Sequence, residues 1–72
     1  MGKLFADASS IKMAKEQETL ALILIFFFGP ILTAFLAKNI TPEQKKGAII
    51  CGLIPILNVI TQFKIWQNTK SQ

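Results

Sequence analysis

Histidine and arginine are missing from this 72-residue chain, cysteine occurs once, and only four side chains are acidic. The four acids, Asp7, Glu16, Glu18 and Glu43, lie outside the two stretches where the apolar residues are concentrated. Metal ligation, general acid–base work and proton relay each need such groups at short range. Enzymatic chemistry is therefore not expected, nor a carrier with a charged central site. Ser9 and Ser10 have no base beside them, and the chain lacks a glycine-rich phosphate loop, so neither a catalytic residue nor a cofactor is expected. The lone Cys51 has no partner for a disulfide or a metal and reads as a small buried apolar residue. Without arginine or interleaved aromatics on a basic face, the net charge of +4 does not point to nucleic acid.

What the chain has instead is long runs without charge. Residues 19–37, TLALILIFFFGPILTAFLA, and residues 47–63, GAIICGLIPILNVITQF, contain no charged side chain. About 18 apolar residues at about 1.5 Å rise each reach across about 30 Å of hydrocarbon. The expected fold is thus all-α, an integral membrane helical hairpin of two transmembrane helices, each with a mid-span proline. The first block ends too bulkily, with Phe35 two residues before Ala37, to be a cleaved signal peptide.

The divisions follow from composition: a polar segment 1–18, a first span 19–37, a polar turn 38–46, a second span 47–63, and a polar tail 64–72. The first segment reads either as a short interfacial helix, with Asp7, Ser9 or Ser10 capping its start, or as a frayed tail. Lys38 or Asn39 ends the first span. Thr41-Pro42-Glu43-Gln44 has N-cap, N1 proline, acid and N3 glutamine in order, so the second helix begins at Pro42. Lys38, Lys45, Lys46, Lys64 and Trp66 are expected as interface anchors beside anionic headgroups. Five lysines near the termini against three in the turn favour a multi-pass protein with its termini on the cytoplasmic side.

Proline within a helix removes a hydrogen bond and clashes with the preceding turn, so kinks are expected at Pro30 and Pro55. In lipid, helices pair through small residues. Gly29, Thr33 and Ala37 form one seam and Ala48 and Gly52 the other, which brings Ala37 near Ala48 and Thr33 near Gly52. Asn58 is placed either to make an interhelical hydrogen bond, or one to backbone opened by proline, or to meet headgroup water.

Phe28-Gly29-Pro30-Ile31 and Gly52-Leu53-Ile54-Pro55 resemble the paired motifs of the small two-helix YqaE-type plasma-membrane proteolipids. The likeness covers residues 21–60, with Gly29, Leu53 and Ile56 departing from that family's pattern. It implies a stress-associated role in ion homeostasis. The expected function from the residues themselves is a non-catalytic accessory subunit that packs against larger integral membrane proteins and the lipid bilayer. A holin-like pore-forming oligomer is the alternative.

Overall fold

The structure is a computed structural model that describes residues 2–38 and 40–72. It is all-helical among those residues: α1 (Gly2–Ser9), α2 (Glu18–Ile23), α3 (Gly29–Leu36), α4 (Pro42–Leu53) and α5 (Pro55–Lys70). Short 3-10 turns, Lys15–Gln17 and Leu24–Phe26, precede and continue α2.

No helix among the described residues is long and apolar enough to cross a membrane. This overturns the expected two-span transmembrane hairpin and, with it, the multi-pass integral membrane localisation. The physical reason lies in the prolines. Pro30, Pro42 and Pro55 each occupy the first turn of a helix, where the missing N–H costs nothing and the fixed φ suits helix initiation. Pro30 and Pro55 therefore start new helices instead of kinking old ones, and each apolar block is divided in two.

The first division falls at Phe27 and Phe28. Phe28 has φ 48° and ψ 43°, the left-handed region that non-glycine residues rarely occupy. Its carbonyl accepts from the N–H groups of Ile31 (3.2 Å) and Leu32 (3.3 Å), which opens α3. The second division is one residue long. Ile54, at φ −103° and ψ 115°, closes α4 and caps α5 at once.

Both blocks fold back at these points. Gln17 and Lys38, from either end of the first block, line one polar pocket together with Gln44 and Gln72. Gln44 near the start of α4 donates from Nε2 to Ser10 Oγ (2.9 Å), while Asn68 near the end of α5 donates from Nδ2 to Ser9 O (2.7 Å) and Ile11 O (3.1 Å). The result is two stacked V shapes, α2–α3 and α4–α5, with their open ends at a polar base and their bends at a common apex. The whole measures 29 × 23 × 18 Å, stubbier than a pair of crossing helices.

α4 begins as its sequence dictates. Thr41 Oγ1 accepts from Gln44 N (3.1 Å), and the Gln44 side chain accepts from Thr41 N (2.9 Å), a reciprocal capping box. α1 is a formed helix, not a frayed tail, and it packs along α4 and also touches α5. Gly47 makes that contact possible, since a Cβ there would collide with the backbone carbonyl of Leu4. Ser9 and Ser10 do not start a helix. Their hydroxyls donate back to Ala6 O (3.2 Å) and Asp7 O (2.8 Å) at the end of α1. The end of the first block differs by little from expectation, with α3 stopping at Leu36; Asn39 lies outside the described residues.

Candidate functional site

The core between these elements is built from small residues. Ala8, Ala21, Ala34, Ala37, Ala48 and Cys51 are buried, alongside Ile11, Met13, Leu24 and Ile65. Small side chains let helix backbones approach closely, which suits two stacked bends in so short a chain.

Polar side chains bind the core. Gln62, wholly buried, projects from α5 between the two arms of the first V. Its Nε2 donates to Ala21 O on α2 (2.9 Å), and its Oε1 accepts from Thr33 Oγ1 on α3 (2.8 Å). A buried amide left without partners costs about 1–3 kcal/mol per group, so these bonds hold α2, α3 and α5 in one register. Gly29 belongs to the same contact, since a Cβ there would meet the Gln62 side chain and the Leu24 carbonyl. Lower down, Thr69 Oγ1 accepts from Met13 N (3.0 Å) and donates to Ile65 O (2.9 Å), tying the segment after α1 to α5.

The outside is the reverse. Of six phenylalanines, Phe26, Phe27, Phe28, Phe35 and Phe63 are exposed, while Thr33, Thr61, Gln62 and Thr69 are buried. The most open apolar side chains, Phe26 (77%), Ile56 (74%) and Leu53 (70%), sit at or beside the two bends. A cleft of about 400 Å³ runs between the bends, lined by residues that include Phe26, Phe28, Gly52, Pro55 and Asn58. Asn58 donates from Nδ2 to the Gly52 carbonyl (3.1 Å), which lies just before the break in the helix. Its Oδ1 and the hydroxyl of Thr61 are buried without a protein partner.

The charged groups collect towards the base. Lys15 pairs with Glu18 (2.9 Å) and donates to Lys70 O (2.7 Å). Both side chains of that ion pair are substantially exposed, so it contributes little to stability. Lys45 lies over the Phe35 ring (4.9 Å) and Lys70 over Trp66 (4.7 Å), cation–π contacts at the edge of the apolar surface. Lys38, Lys46 and Lys64 are exposed, and Trp66 is half-buried against Phe63, with ring centroids 5.7 Å apart.

The sequence-predicted packing residues Gly29, Thr33, Ala37, Ala48 and Gly52 are all buried. α3 and α4 pack against each other, with Gly52 met by Ile31, while Gly29 and Thr33 also meet Gln62 on α5. Pro30 is buried and Pro55 exposed, both as helix starts. Sequence reading missed Gln62 and the Met13–Thr69 contact. Their signal was the spacing on α5: Asn58, Gln62, Ile65 and Thr69 recur at three and four residues, the period of one helical face.

Cys51 is a buried free thiol. Among the described residues no group of three His, Cys, Asp or Glu is placed to hold a metal ion. No family model matches the chain, and neither a curated protein nor a solved structure matches it significantly.

Proposed function

We propose that this chain is a small non-catalytic accessory module, which works by docking its apolar apex and flanks against a water-free surface of a larger assembly and stabilising it. One observation carries this reading: most of the large apolar side chains, five of six phenylalanines among them, face outward, while alanine, threonine and glutamine take up much of the core. Full burial of a phenylalanine stabilises by about 1.5–3 kcal/mol. Five phenylalanines left in water forgo a sum comparable with the roughly 5–15 kcal/mol stability of a whole domain. Exposed apolar side chains clustered about the two bends, as Phe26, Phe28 and Leu53 are, mark an interaction site.

The pore-forming alternative needs helices that cross a bilayer, and the folded-back arms give it no support. The likeness to the stress proteolipids rests on the two proline motifs alone; no carboxylate lies near the apical cleft to handle a cation.

Sedimentation of the purified full chain tests the docking reading. The chain is expected to self-associate in plain buffer and to become monodisperse in mild detergent. The triple variant Phe26→Ser, Phe27→Ser, Leu53→Ser is expected to be monomeric without detergent. A wild-type chain that stays monomeric in plain buffer and binds no detergent overturns the reading.

A further inference from the structure

We infer that the surface taken by the apex is one leaflet of an anionic lipid bilayer, entered from one side and not crossed. This rests on the docking reading above and names its partner. The geometry along the arms points to it. From Lys46 to Leu53 on α4 is seven residues, from Ile56 to Lys64 on α5 is eight, from Glu18 to Phe26 on the α2 arm is eight, and from Phe28 to Lys38 on the α3 arm is ten. At about 1.5 Å per residue, the four arms carry their uncharged parts about 10–15 Å above the first charge, close to the roughly 15 Å of a single hydrocarbon leaflet. A partner protein would impose no such common depth on four separate arms.

The charges at that level are mainly of the matching sign, and the acid among them, Glu18, is paired with Lys15. Lys45, Lys46 and Lys64 stand exposed where the headgroups would lie, and Trp66 sits just beyond Lys64, as aromatic residues do at membrane interfaces. A second copy of the chain, itself at +4, is the less favourable occupant. The bends are also prepared for an apolar medium, in which backbone carbonyls need internal donors. Leu24 O accepts from Phe27 N (3.2 Å), Cys51 O from Ile54 N (3.2 Å), and Ile54 O from Asn58 N (2.8 Å), while the Asn58 side chain covers Gly52 O.

Flotation of the full chain with lipid vesicles tests this inference. Vesicles of phosphatidylcholine alone are compared with vesicles that also contain phosphatidylglycerol, and both enclose a self-quenched dye. Binding is expected to be at least about tenfold stronger to the anionic vesicles at low salt and to weaken as salt rises. The double variant Lys46→Gln, Lys64→Gln, whose side chains are exposed, is expected to lose about tenfold on anionic vesicles with its helical circular dichroism unchanged. An environment-sensitive dye on Phe27→Cys, in a Cys51→Ala background, is expected to shift to the blue and to be quenched by mid-chain brominated lipid, with the trapped dye retained. Equal binding to both vesicle types, a label at residue 27 that stays in water, or release of the trapped dye overturns the inference. A chain that self-associates in buffer but ignores both vesicles also overturns it while leaving the docking reading intact. A chain that is monomeric in buffer, binds no detergent and ignores vesicles removes both.

Discussion

Gln62 has the most to lose from a single substitution. It satisfies Thr33 and Ala21 from a fully buried position, so Gln62→Leu leaves a hydroxyl and a carbonyl without their partner. Denaturant unfolding, in detergent or vesicles, is expected to show a loss of about 3 kcal/mol, against about 1 kcal/mol for Thr33→Ser, which keeps the hydroxyl. Phe28 is the opposite case, because its left-handed backbone carries strain and its ring is exposed. Phe28→Asn is expected to leave the melting temperature unchanged or to raise it, since asparagine tolerates that conformation at less cost. A fall in melting temperature would mean the ring packs more than its exposure shows. The glycines matter for what their missing Cβ would strike. Gly47→Ala meets the Leu4 carbonyl, Gly29→Ala the Leu24 carbonyl, and Gly52→Ala the Cγ1 of the branched Ile31 side chain with the Ile31 backbone nitrogen close beside it. Each is expected to destabilise by about 1–3 kcal/mol, measured in the same unfolding assay.

At the scale of elements, the start of α4 was legible in the sequence because a capping box and an N1 proline are local signals. Thr41→Ala is expected to cost about 1 kcal/mol in stability, and Gln44→Ala more, because Gln44 also holds Ser10 across to α1. The two breaks were legible as positions and misread as events. Gly29-Pro30 and Ile54-Pro55 mark where a helix either kinks or ends, and the local sequence supports both. What decides between them is tertiary: Gln62 reaching back to Ala21, and α1 filling the angle between α4 and α5. Neither contact has a local signature, and α1 with the turn after it joins the core through residues, Ala8 and Ile11, that read equally well as the face of an interfacial helix. The same gap explains the packing residues. Gly29, Thr33 and Gly52 were recognised as small residues in close contact, but assigning their partners required knowing that each block turns back. A chain lacking residues 2–12 is expected to lose cooperative thermal unfolding, because Gly47 and Ala48 would then face an open groove.

For the molecule as a whole, the apolar composition goes largely to the surface, with phenylalanine outside and threonine inside. Length alone was the misleading quantity. A run of 19 uncharged residues is long enough to span a bilayer only if it stays straight, and here it is folded at Phe28. The most direct measurement of that folding back is the distance between spin labels at Glu43 and Gln67, both exposed, in a Cys51→Ala background, read by pulsed electron resonance in detergent and in vesicles. The bend at Ile54 predicts a separation of about 20 Å or less, because the neighbouring Gln44 and Asn68 both bond to the Ser9–Ser10 turn, whereas a straight helix of 24 residues would separate them by about 36 Å. The shorter distance in both media is the predicted result, and a distribution centred near the longer one contradicts the folded-back architecture.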